Sequence, residues 1–166
     1  MPWKNGAFTA PDPRRGGLRP CVSTIRSWHP PACALGGVYL YVGNCGLPKA
    51  LIDLVYLRCS QINGCAYCID THSRDLVKEG VALNKLMLVS AWREAGEVFS
   101  EKERAALRWA EELTLVSQTA ASDDAYQAVA GQFQPKEVAD LTIAIGLINV
   151  YNRVAIGFRR GPEPSS

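Results

Sequence analysis

Helix start and stop signals recur along the chain from residue 47 onward, and they restrict the fold more than any other feature of the sequence. Pro48 suits the first turn of a helix, and apolar residues follow at helical spacing up to Gly64, a typical helix end. No turn signal separates two runs of alternating apolar and polar residues, as a β-hairpin requires. The sequence therefore predicts an all-α fold.

About six helices are predicted in this part of the chain. Ser100 and Glu103 form a capping-box pattern at the start of the fourth helix, and Pro135 opens the sixth, which we expect to break near Gly146. The predicted spans are about 48–63, 65–79, 83–93, 100–113, 122–131 and 135–158.

The N-terminal part of the chain has a different composition. Residues 1–46 hold six of the ten prolines, and five basic residues against one acidic residue. Prolines at this density are incompatible with a long helix. We predict an irregular basic segment over 1–34, a helical domain over 35–160 and a C-terminal tail over 161–166. The N-terminal segment is either a mobile tail or a segment that docks on a partner subunit.

Length and charge exclude several classes of protein. A chain of 166 residues fits one domain, and 18 Lys and Arg against 16 Asp and Glu are too balanced for a nucleic-acid-binding surface. The longest nearly apolar run, residues 141–151, is shorter than the roughly 20 residues that span a bilayer, and we expect no secretory signal, since residues 1–34 hold no apolar stretch of the kind such a signal needs. We therefore expect a cytoplasmic protein that binds neither nucleic acid nor membranes.

Cys65, Cys68 and His72 form the most reactive-looking pattern in the sequence. On a helix, cysteines at i and i+3 lie within disulfide reach, and His72 lies one turn beyond Cys68 on the same side. The first turn of a helix also favours a thiolate over a thiol, because its N–H groups carry partial positive charge. The pattern therefore predicts reactive thiols.

Three interpretations of the cysteine pair follow from these residues alone. A tetrahedral zinc site needs further ligands, but the only other histidine, His29, lies in the irregular segment. A pair of buried structural thiols is the second interpretation. The third is a redox dithiol; a thioredoxin-like one would require strands, which the flanking sequence does not predict, so a helical redox protein is favoured.

Residues 51–72 resemble the core of the AhpD-like alkylhydroperoxidases, within the carboxymuconolactone decarboxylase superfamily. The family pattern is an acid, eleven residues, Cys-x-x-Cys, three residues and His. Asp53, Cys65, Cys68 and His72 match every interval. Further similar segments are 91–94, 99–107 and 141–153, so the resemblance covers about 43–160.

The resemblance implies a small helical subunit that assembles into trimers or hexamers and reduces hydrogen peroxide or alkyl hydroperoxides. By this resemblance Cys68 is the peroxidatic thiol and Cys65 the resolving thiol, while His72 and Asp53 form a proton relay. No metal, flavin or other cofactor is implied. The electron donor is expected to be a lipoylated or thioredoxin-like dithiol protein. The alternatives are a lactone decarboxylase of the same superfamily and a non-enzymatic redox sensor or scaffold.

One departure from the family pattern concerns the acid, which is usually Glu. Asp53 is shorter by one methylene, so we expect its carboxylate to need a water or a backbone shift to reach His72. The sequence thus predicts a slack relay, that is, one in which Asp53 and His72 are not in direct contact.

Overall fold

The computed structural model describes residues 34–162, which contain helices and no strands. The prediction of an all-α fold is confirmed. Most of the predicted N-terminal segment 1–34 and of the C-terminal tail 161–166 lies outside the described residues. The eight α-helices are α1 (Ala34–Gly43), α2 (Lys49–Asn63), α3 (Ala66–Lys78), α4 (Leu83–Leu88), α5 (Glu101–Thr114), α6 (Val116–Thr119), α7 (Asp123–Ala130) and α8 (Pro135–Gly157).

Helix α2 lies at the centre of the fold and contacts α3, α5 and α8. Most of its residues from Leu51 to Ser60 are buried, so it has no solvent face over that stretch. One apolar cluster lies between α2, α5, α7 and α8, and a second lies between α2, α3, α4 and α5. The functional side chains of α2 are therefore held by packing on all sides.

Two predicted helices differ from the structure, and both differences arise from tertiary contacts. The third ends at Leu88 rather than near residue 93, and a 3₁₀ turn (Val89–Ala91) follows. There the Arg104 guanidinium donates hydrogen bonds to the carbonyls of Trp92 and Gly96, which replace helical partners. The sixth is unbroken at Gly146, because its buried residues lie on both sides of that position.

Two helices, α1 and α6, were not predicted. Helix α1 exposes four consecutive large apolar residues, which are Val38, Tyr39, Leu40 and Tyr41. It therefore lacks the amphipathic period by which a surface helix is recognised in a sequence. It is attached to α8 by the Tyr41 hydroxyl, which donates to Asp140 at 2.6 Å. Because that bond joins residues far apart in the sequence, no local sequence pattern predicts it.

Among the described residues, α8 is the one helix with the length and composition of a membrane span. It packs against α1, α2 and α5, and 44% of its most apolar stretch is buried inside the protein. These contacts are those of a core helix.

Glu111 on α5 joins three parts of the fold. Its carboxylate accepts hydrogen bonds from Arg58 on α2 at 2.7 Å, from the Trp92 indole at 2.8 Å and from Arg93. Burial raises the pKa of Glu111, but the hydrogen bonds from Trp92, Arg93 and Arg58 outweigh burial and leave the pKa below its usual value.

Replacing Glu111 with Gln should lower the free energy of unfolding by about 1–3 kcal/mol at pH 7, because the buried Trp92 indole and the half-buried Arg58 guanidinium lose a charged acceptor. Since folding lowers the pKa of Glu111, its contribution is present above the unfolded value of about 4.3 and is lost as the pH falls through the folded value. Urea unfolding at pH 7 and pH 3.5 measures this. Glu94→Gln, at an exposed position, is the control; equal losses in the two variants would refute the prediction.

Candidate active site

The end of α2 and the start of α3 place the two cysteines of the Cys-x-x-Cys motif. Gly64 adopts a left-handed conformation, with φ of 69°, which favours glycine and ends α2 as the sequence predicts. The Cys65 N–H then bonds the Ser60 carbonyl at 3.0 Å, and Cys65 becomes the N-cap of α3. Its Sγ accepts a hydrogen bond from the Cys68 backbone N–H at 3.4 Å. The turn thus holds the two residues side by side.

Both thiols are free and buried, yet they differ in access. Cys68 lines a cavity of about 280 Å³, together with Asp53 and His72. Cys65 is not among the described residues that line this cavity, and it is buried in the same apolar cluster as Cys68. A small molecule in the cavity would therefore meet Cys68 first.

Asp53 and His72 form a direct pair between α2 and α3. Asp53 Oδ1 lies 3.0 Å from His72 Nδ1, and Lys49 Nζ donates to Asp53 Oδ2 at 2.7 Å. The expected slack relay is therefore wrong: the packing of α2 on α3 brings the shorter carboxylate into contact without a water. Only 8% of the Asp53 side chain is exposed, and 13% of the His72 side chain.

The charge of this pair decides which imidazole nitrogen can act as a base. Burial raises the pKa of Asp53, but hydrogen bonds from His72 and Lys49 outweigh burial and leave its pKa below the usual value. An ionised carboxylate only accepts hydrogen bonds, so a neutral His72 places its proton on Nδ1. The other nitrogen, Nε2, is then free to accept a proton.

The environment of Cys68 opposes the effect of the helix N-terminus. Burial raises the pKa of the Cys68 thiol, and the neighbouring Cys65 thiol raises it further. Hydrogen bonds from Asn152 and Ser60 act in the opposite direction without overcoming burial. The resting group is therefore the thiol, and a reaction at this sulfur needs a base nearby.

A buried amide network supports this region and was missed by the sequence analysis. Asn152 on α8 donates to Ser60 Oγ at 3.0 Å and accepts from Asn63 Nδ2 at 2.9 Å. Ser60 in turn donates to the Tyr56 carbonyl. The available signal was an amide directly after the apolar run 141–151, where a polar side chain on a core helix requires buried partners.

Other groups near the site have identifiable roles. Asp53, His72 and Asp75 have ligand atoms close enough to hold a cation, but Lys49 already bonds Asp53 and adds a positive charge that opposes one. The Arg160 guanidinium stacks on the Tyr67 ring at 4.2 Å from its centroid.

The other two cysteines in the described residues, Cys45 and Cys59, lie outside this constellation. Cys59 is buried in the core, and burial raises its pKa to about 12. Cys45 is half-buried. Cys21, Cys33 and His29 lie outside the described residues.

Known proteins with similar sequence or structure span most of the chain. YdfG of Bacillus subtilis, an uncharacterized protein, is 33% identical over 116 residues, which cover 70% of this chain and 78% of YdfG. YnjA of Escherichia coli, also uncharacterized, is 30% identical and is covered over 85% of its length. The crystal structure of ATU0492 from Agrobacterium tumefaciens superposes with a TM-score of 0.77 at 39% identity, covering 80% of this chain and 90% of ATU0492.

The family assignment rests on these relatives together with the motif and the fold. ATU0492 is a protein of unknown function for which an AhpD-type role in antioxidant defence has been suggested. The Carboxymuconolactone decarboxylase family matches residues 33–112, which include α2, α3 and both cysteines of the motif. The chain therefore belongs to the carboxymuconolactone decarboxylase family, among the AhpD-like members of that superfamily.

Proposed function

We propose that this protein is a thiol-dependent peroxidase that reduces hydrogen peroxide or alkyl hydroperoxides through a dithiol–disulfide cycle of Cys68 and Cys65. The observation that carries the proposal is the position of Cys68, which lines a cavity together with His72 and whose backbone nitrogen lies 3.4 Å from the sulfur of a second thiol, Cys65. The resemblance of the motif to the AhpD-like enzymes supports the same assignment of roles.

The first step forms a sulfenic acid on Cys68. Nε2 of His72 takes the thiol proton, and the resulting imidazolium is stabilised by Asp53, which contacts Nδ1. The sulfur attacks the terminal peroxide oxygen, the O–O bond breaks, and the alkoxide takes the proton from His72. Cys68 is oxidised by two electrons, and the hydroperoxide is reduced to an alcohol.

The second step forms the disulfide and releases water. The Cys65 thiol condenses with the sulfenic acid, which is favoured by their placement at i and i+3 across the start of α3. A lipoylated or thioredoxin-like dithiol protein then reduces the disulfide by exchange. None of these steps requires a metal or a flavin.

One observation favours a second candidate, a redox sensor. Because burial raises the pKa of Cys68, its thiol is mostly protonated at rest and would oxidise slowly unless His72 acts as a base. A lactone decarboxylase has no such support, since that reaction does not rest on a cysteine pair.

Rapid mixing of the reduced protein with a hydroperoxide separates the two candidates. A peroxidase should lose two thiols per chain quickly and regain them when a dithiol donor is added. Cys45→Ser is the matched control, because Cys45 lies outside the motif and this variant should also lose two thiols. Slow loss with a change in oligomer size would refute the peroxidase and favour the sensor.

We also propose that the chain forms trimers or hexamers. The four exposed apolar residues of α1 at positions 38–41 provide a surface for such an assembly. Light scattering coupled to size-exclusion chromatography measures the mass of the particle in solution, and a monomer would refute this assignment.

A further inference from the structure

Tyr56 carries a buried hydroxyl that has no hydrogen-bond partner within the described part of the chain. It lies in the middle of α2 and is 3% exposed. Among residues 34–162, no group forms a hydrogen bond with Tyr56 Oη. Buried polar atoms are nearly always bonded, so an orphaned hydroxyl indicates a strained structure, a functional group or a missing partner.

The position of Tyr56 favours a missing partner from the cavity. Its side chain lines the same cavity as Cys68 and His72. Its ring packs edge-on against the His72 imidazole, with ring centroids 4.9 Å apart. Tyr56 also follows Asp53 by three residues, so both side chains emerge on the face of α2 that meets α3.

We propose that the Tyr56 hydroxyl donates a hydrogen bond to the leaving oxygen of a hydroperoxide bound at Cys68. This inference rests on the peroxidase function proposed above. When the sulfur attacks the terminal oxygen, the O–O electron pair passes to the leaving oxygen, which becomes an alkoxide. A donor already placed at that oxygen stabilises the developing charge without first having to reorient.

Tyr56 acts as a hydrogen-bond donor and does not transfer its proton. Burial raises the pKa of Tyr56 above its usual value, so the phenol stays protonated throughout the neutral range. The proton that neutralises the alkoxide is the one that His72 took from Cys68. Tyr56 therefore contributes a dipole at the leaving oxygen, while the proton balance of the reaction is unchanged.

The test is a Tyr56→Phe variant, which removes only the oxygen atom. Pre-reduced protein is mixed with hydrogen peroxide or tert-butyl hydroperoxide, quenched, and assayed for Cys68 oxidation by mass spectrometry. We expect the rate of oxidation to fall by about 100-fold, the scale seen when one donor to an oxyanion is removed. Tyr126→Phe, on the half-exposed Tyr126 of α7, is the control and should react like the wild type.

Two further measurements separate a role at the leaving oxygen from a structural role. Alkylation of Cys68 by iodoacetamide forms no oxygen anion, so its rate should be the same in Tyr56→Phe and wild type. The melting temperature should not fall, because the lost hydroxyl forms no hydrogen bond with any residue of the described range 34–162.

The outcomes also distinguish this inference from the proposed function. Equal peroxide rates in an active wild type and in Tyr56→Phe would overturn the role of Tyr56 alone and assign its hydroxyl to water. Slower alkylation together with slower oxidation would show a disturbed site and would also overturn it. A wild type that does not oxidise with either peroxide would overturn the peroxidase function and this inference together.

Discussion

A Cys68→Ser protein is expected to consume no hydroperoxide, whereas Cys65→Ser should react once and stop at a sulfenic acid on Cys68. The reason is geometric, because Cys68 is among the described residues that line the cavity and Cys65 is not. A serine at position 68 cannot be oxidised by peroxide. Without Cys65, no thiol at its position is available to condense with the sulfenic acid.

Dimedone, which reacts with sulfenic acids, distinguishes the two variants. Cys65→Ser should incorporate one dimedone on Cys68 for each hydroperoxide consumed, and Cys68→Ser should incorporate none. Cys45→Ser should cycle with a dithiol donor like the wild type. Stoichiometric labelling of Cys65 in the Cys68→Ser protein would reverse the two roles.

Asp53→Asn is expected to lower the rate of Cys68 oxidation by about 10²–10⁴-fold, the usual contribution of general acid–base catalysis. The amide occupies nearly the same volume but lacks the charge that stabilises a protonated His72. Asp53→Glu should also be slower than the wild type, because Asp53 Oδ1 already contacts Nδ1 at 3.0 Å and an added methylene must fit a site with 8% side-chain exposure. The direct contact therefore leaves no gap for a longer side chain to close, contrary to what the shorter carboxylate predicts from the sequence alone.

Stopped-flow measurement of peroxide decay across pH tests the role of Asp53. Asp70→Asn is the matched control, since Asp70 lies on α3 and pairs with Arg74 at the surface. Melting curves for each variant verify that the fold is intact. Folding lowers the pKa of Asp53, so the contribution of its carboxylate to stability is lost only as the pH falls through that lowered value. Identical rates and pH profiles in wild type, Asn and Glu proteins would show that Asp53 takes no part in the relay.

The sequence by itself determined those features that depend on neighbouring residues. Ser100 and Glu103 form the predicted capping box, and Gly64 ends α2 in a left-handed conformation. The order of Cys65, Cys68 and His72 along one helix also follows from spacing alone. Such signals work because capping, glycine conformation and helical periodicity act within about one turn of the chain.

Only the tertiary structure decided how the site is completed. The Asp53–His72 contact, the bond from Asn152 to Ser60 and the orphaned hydroxyl of Tyr56 each depend on how α2 packs against α3 and α8. Spacing along the chain contains no information on the distance between packed helices, so it predicted a slack relay where the contact is direct. For the same reason, a helix N-terminus predicted a thiolate, whereas burial by the surrounding core keeps the Cys68 thiol protonated until a base removes its proton.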